Sequence, residues 1–156
     1  MGTEAEGGYW SIVETAYRSI SVHQDPAAFL EQLAGATRVE RVLLPAHWCQ
    51  SEVLNGGLWQ FFMNSTGVLC PEAIEAYGAL GMPQLSSVLK DAASWFGPEY
   101  PRAKKDRRSM LSLAGWGRPQ KGKPFSSQTK LFLKLHEEEA GGFLAAADRF
   151  AGSSGA

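Results

Sequence analysis

Only two cysteines, Cys49 and Cys70, occur in the 156 residues. They form neither a CxxC pair nor a disulfide framework. No apolar run approaches the roughly 18 residues of a membrane span. The chain opens with Met1 and Gly2 followed by Thr3, Glu4, Ala5 and Glu6, which is neither the basic start nor the apolar stretch of a secretory leader. Sustained period-two alternation with turn pairs is missing, so no substantial sheet is expected. There is no nucleophile elbow, HExxH helix, calcium loop or dinucleotide fingerprint. These absences point to a reduced, cytoplasmic protein that is not an enzyme. It is expected to have no catalytic residues, no cofactor, no bound metal and no membrane contact.

What is present is ordinary globular composition, with 44% hydrophobic and 20% charged residues. A chain of this size can bury about 68–70% of its unfolded surface in one core. The apolar spacing is helical almost throughout. Val13, Ala16, Tyr17 and Ile20 follow a capping-box pattern at Ser11–Glu14, and a second such pattern opens a helix at Thr37 and Glu40. Pro26 starts a short helix that stops at Gly35, and Pro45 kinks a helix or starts the next. Pro71 and Pro83 open two more helices, and two C-terminal helices cover 126–138 and 142–151. The pattern predicts a single all-α domain over residues 1–151. About eight orthogonally packed helices would include a long basic Pro/Gly-rich loop, and 152–156 would be a flexible tail.

The net charge of −1 is unevenly spread: residues 1–98 carry −6, 99–136 carry +8 and 137–156 carry −3. The loop from 97 to 124 holds most of the bases, with one helical turn expected around 107–113. Arg102, Lys104, Lys105, Arg107, Arg108, Arg118, Lys121 and Lys123, interleaved with Tyr100 and Trp116, are the candidate polyanion-binding residues. A solvated loop is favoured over nucleic-acid binding, because Pro98, Pro101, Pro119 and Pro124 suit irregular surface chain. The run Gly117–Lys123 matches the first seven places of a phosphate loop. Pro124 replaces its magnesium-binding hydroxyl, however, and no strand precedes it. His47, Cys49 and Glu52 are the nearest approach to a metal cluster, but residues two apart on a helix face different ways.

The informative stretch is 51–65. Asn55, Gly56 and Gly57 stop one helix, since Asn and Gly tolerate positive φ. Glu52 and Asn55 share a face of the helix that ends there, and Gln60 and Asn64 share a face of the next. Leu58, Phe61 and Phe62 lie beside them. Four polar side chains, Glu52, Asn55, Gln60 and Asn64, are therefore expected to converge at a helix–helix junction. There they either satisfy the orphan groups of two helix ends or line a partner surface or, as an alternative, a small-molecule or enzymatic pocket.

This stretch resembles the signature E-V-x-N-G-G-x-x-Q-F-F-x-N-S of a bacterial family of unknown function named after a DNA-mimic protein. The matching residues are Glu52, Val53, Asn55, Gly56, Gly57, Gln60, Phe61, Phe62, Asn64 and Ser65. The similarity extends over about residues 36–150. It implies an all-helical domain without known catalytic activity, and an interaction role. In the relative that names the family, an acidic surface imitates DNA phosphate and occupies a transcription factor. Here the charge argues against imitation: duplex DNA carries one charge per roughly 1.7 Å of its axis, and the basic segment would repel a DNA-binding face. The expected partner is therefore an unidentified protein. Nucleic acid is less favoured, and homodimerisation is compatible with the pattern.

Overall fold

The computed structural model describes residues 8–118 and 124–154. Among them are eight α-helices and no strand. These are α1 (Trp10–Tyr17), α2 (Pro26–Ala34), α3 (Arg38–Met63), α4 (Cys70–Ala79), α5 (Pro83–Ala93), α6 (Lys104–Leu113), α7 (Ser126–Glu138) and α8 (Phe143–Ser154). Short 3-10 turns cover Ser65–Leu69, Ser94–Phe96 and Glu139–Gly141.

Helix starts follow local chemistry in some places and tertiary contacts in others. Asp25 accepts from the Ala28 amide ahead of Pro26. Thr37 and Glu40 form the expected capping box, each side chain accepting from the other's backbone N–H. The box expected at Ser11–Glu14 does not form. α1 already begins at Trp10, Ser11 donates to the Gly8 carbonyl, and Glu14 pairs with Arg18 at the surface. The entry to α1 is instead fixed from α8, where Asp148 accepts from the Tyr9 amide at 2.9 Å. The N-terminus of α5 is likewise capped from afar: the Glu139 carboxylate accepts from the Gln84 and Leu85 amides, both at 2.8 Å.

α3 is the central element and packs against α1, α4, α6, α7 and α8. It runs through Pro45 without interruption, where a kink or a fresh start was expected. Leu43, Leu44, Pro45 and Ala46 are all buried, and this packing holds the helix through the proline despite its local cost. The core is aromatic. Phe62 meets the rings of Phe96 and Phe125 at 5.0 Å, and Tyr77 packs on Phe132 and Phe143.

The basic segment differs most from expectation. Residues 104–113 form a ten-residue helix, α6, rather than a loop with one turn. Its inward face is Arg107, Met110 and Leu111, at i, i+3 and i+4. At the other end, α8 continues to Ser154, so helix occupies the first residues of the expected tail. The phosphate-loop look-alike falls largely on 119–123, outside the described residues, as do Lys121 and Lys123. Among the described residues no helix is long and apolar enough to cross a membrane.

Candidate functional site

The signature stretch forms the junction it predicts. α3 leaves helical geometry at two glycines only, which divide it into 38–55 and 58–63. The two glycines are needed for different reasons. Gly57 has φ +76°, a backbone conformation that L side chains rarely adopt. Gly56 has extended φ, and a Cβ there would lie 1.9 Å from Gln60 Oε1. Its bareness lets Gln60 fold back over the helix end. The restart at Leu58 is capped from α7, its amide donating to Thr129 Oγ1 at 3.1 Å.

Gln60 folds back to reach Glu52. Its Nε2 donates to Glu52 Oε2 at 2.7 Å, Asn64 Nδ2 donates to the same oxygen at 3.1 Å, and Thr66 Oγ1 donates to Oε1 at 2.8 Å. Every contact Glu52 makes here is with a donor, the arrangement an ionised, acceptor-only carboxylate requires. Three of the four expected polar residues therefore converge. Asn55 does not: it is exposed, and its side chain makes no hydrogen bond among the described residues. It occupies the last helical turn before the glycines, on the solvent side of the stripe. Thr66 takes the place in the network expected for Asn55, one residue beyond the motif's end. Phe61 and Phe62 are fully buried core residues, and Ser65 accepts from Lys104 Nζ at 3.1 Å.

A second group, which the sequence reading placed on the surface, grips the same segment from the other side. Arg107 is completely buried. Its Nε donates to the Phe62 carbonyl and its Nη2 to the Asn64 carbonyl, both at 2.8 Å. Nη1 donates to the carbonyls of Pro101 and Arg102. Arg108 Nε donates to the Met63 carbonyl at 2.7 Å. The last carbonyls of α3 are thus met by guanidinium donors, and positive charge sits at the negative end of the helix dipole. Burial pulls the Arg107 guanidinium below the ordinary arginine range. Gly67 leaves room for it, since a Cβ there would lie 2.7 Å from Nε, from Nη2 and from the Phe61 carbonyl. Arg102 is also tied down: it pairs with both carboxylate oxygens of Glu72, at 2.9 and 2.8 Å, and donates to the Val68 carbonyl.

Two of the eight candidate polyanion contacts, Arg102 and Arg107, therefore hold the fold. Lys104, Lys105, Arg108 and Arg118 are exposed. The clue to Arg107 was its register with Met110 and Leu111, which the surrounding bases and prolines obscured.

On the outward side of α3, Trp48, Gln50, Ser51, Glu52, Leu54 and Asn55 line an open groove of about 510 Å³. Trp48 lies 5.1 Å from the Tyr17 ring at a tilt of 36°, with Tyr17 itself half-exposed, and edge-on at 5.2 Å to His47. Leu54 is 55% exposed at the rim. Beneath, Gln50 Oε1 meets His136 Nε2 at 2.7 Å, joining α3 to α7. His47 and Cys49 serve different neighbours, as their spacing implies. His47 Nδ1 meets the Tyr9 hydroxyl at 2.9 Å, and burial lowers its pKa to about 4. Cys49 and Cys70 are free, fully buried thiols whose pKa values burial pushes up. Among the described residues no group of three His, Cys, Asp or Glu side chains is placed to hold a metal ion.

A family model described as DMP19-like protein matches residues 34–151, well over half of the chain. It is the DNA-mimic family that the signature resembles. No curated protein and no solved structure matches the chain.

Proposed function

The chain belongs to the DMP19-like family, and from that premise we propose that it is a non-enzymatic protein-interaction module whose partner is a DNA-binding protein. The observation that carries this reading is the division of roles along α3. The signature residues Glu52, Gln60 and Asn64 are engaged with one another and with Thr66. Asn55, the signature residue outside that network, lines a groove open to solvent together with Trp48, Leu54 and the near side of Glu52. A general acid or base must exchange its proton with a substrate, whereas Glu52 is held by three internal donors. The motif therefore acts as scaffold and presents the groove for contact.

Wholesale imitation of DNA is the weaker form of this reading. Glu52, Glu72, Glu139 and Asp148 all turn toward internal donors, which removes them from any phosphate-like array. Nucleic-acid binding by the basic segment is weaker still, because Arg102 and Arg107 donate to the protein itself. The buried free thiols support a reducing, cytoplasmic setting.

Affinity purification of the tagged full chain from its host at physiological salt, with mass spectrometry of what is retained, tests the proposal. A DNA-binding protein is expected, and sizing of the purified chain reports any homodimer. Retention of nucleic acid without protein, or turnover of a small substrate, would overturn it.

A further inference from the structure

We propose that the groove on α3 receives an arginine side chain of the partner protein. The inference rests on reading this face as an interaction surface, and it adds the chemistry of what enters. Trp48, Ser51, Glu52 and Asn55 stand at i, i+3, i+4 and i+7, so they form one stripe of the helix. The stripe offers an aromatic face, a hydroxyl, a carboxylate and an amide.

Each component is poised for a cation with several donors. Glu52 is fixed in place by three neutral groups, and among the described residues it forms no ion pair. Glu52 lines the groove, and among the described residues no counter-charge pairs with it. The Trp48 ring is held by Tyr17 and His47, so its orientation is set before a ligand arrives. Asn55 has an unengaged carbonyl oxygen at the rim.

A guanidinium fits this set better than an ammonium. It stacks flat on an indole, and its rigid fork directs in-plane N–H groups at several acceptors together. Glu52, Ser51 and Asn55 supply those acceptors, while exposed Leu54 covers the methylene stem. Arginine is also the residue with which DNA-binding surfaces meet phosphate and guanine. A partner of that kind therefore presents the matching group. The contact requires one well-placed carboxylate, not a phosphate-like array, which agrees with the modest charge of residues 1–98.

The probe is the peptide acetyl-Gly-Arg-Gly-Arg-Gly-amide, titrated into the 15N-labelled full chain. Its control is the same peptide with citrulline, which keeps the shape and removes the charge. The Trp48 indole N–H and the Asn55 side-chain amide are expected to shift with arginine and not with citrulline. Asn55→Lys should weaken arginine binding about tenfold and Asn55→Asp should strengthen it. Both should fold as the parent does, because the side chain is exposed and unpaired. Equal shifts with citrulline, or an Asn55→Lys titration like that of the parent, would overturn the inference. The two readings fail separately. A partner retained equally by parent and Asn55→Lys sinks the groove and leaves the module. Arginine-specific shifts without any retained partner sink the module and leave the groove.

Discussion

Replacing Arg107 with methionine removes the only guanidinium donors to the carbonyls of Phe62 and Asn64. Two further carbonyls, those of Pro101 and Arg102, lose their bond to Nη1. The loop carbonyls are near the surface and can be met by water. Of those at the end of α3, the Phe62 carbonyl is buried and its loss costs about 1–3 kcal/mol, while the Asn64 carbonyl keeps the Gly67 amide as a donor. Against this, methionine avoids the cost of burying a charge, because Arg107 has no carboxylate partner whose charge would be stranded. The balance is a loss of about 2 kcal/mol, a fall in Tm of roughly 6 °C for a domain of this size. Arg108→Met is the control. That side chain is exposed and reaches one carbonyl, so its loss should stay below about 1 kcal/mol. Chemical denaturation with an unchanged m-value measures both. Gly67→Ala should cost at least as much as Arg107→Met, since its Cβ would meet both the guanidinium and the Phe61 carbonyl. A double-mutant cycle should then show the two losses to be far from additive. If Arg107→Met is as mild as Arg108→Met, or if the two losses simply add, the account of Arg107 as the cap of α3 is wrong.

Three further outcomes follow from the same geometry. Gly57→Ala forces a side chain to φ +76° and should cost about 1–2 kcal/mol, while Gly56→Ala should cost as much by driving Gln60 off Glu52. Equal stability of either variant and the parent in thermal unfolding would refute this. Gln60→Leu leaves Glu52 Oε2 short of its closest donor and should cost about 1–3 kcal/mol, read by the same assay. His47 is held neutral, with a folded pKa of about 4 against 6.5 in the open chain. The unfolded state therefore binds the extra proton first, and stability should fall by about 2–3 kcal/mol as pH drops from about 6.5 toward 4. Burial lowers the pKa of His136 as well, so it adds to the slope. His47→Gln should flatten the profile in that window, and a profile identical to the parent's would refute the assignment.

Helices, the glycine break and most of the polar junction are legible in the chain because local rules decide them. Period, Pro at N1 and the Thr37–Glu40 box are satisfied within one turn of themselves. What the sequence hides is decided from far away. α1 takes its start from Asp148 and α5 from Glu139, both distant in the chain. In the sequence Arg107 reads as surface, because charge and neighbouring prolines usually mean solvent. Its partners are carbonyls 43 and 45 residues earlier, and no local pattern announces a backbone acceptor. In the sequence Asn55 shares a stripe with Glu52, which points it toward the network. The glycine break, however, turns Gln60 and Asn64 toward Glu52 alone and leaves Asn55 at the rim.

The bearing of the signature on function follows from that last point. If E-V-x-N-G-G-x-x-Q-F-F-x-N-S described only a binding surface, its polar members should face solvent. Gln60 and Asn64 instead face Glu52, and both phenylalanines lie in the core. If it described only a fold, Asn55 would have a structural partner, and it has none among the described residues. The motif therefore joins two tasks through one residue: Glu52 receives the internal donors that fix the junction and lines the groove beside Trp48. A lost internal donor should then act in two ways. Gln60→Leu destabilises the fold and also loosens the carboxylate in the groove. Asn55→Lys touches the groove alone. The two variants should accordingly separate in a plot of stability against arginine-peptide affinity, with Gln60→Leu lowered on both axes and Asn55→Lys on one.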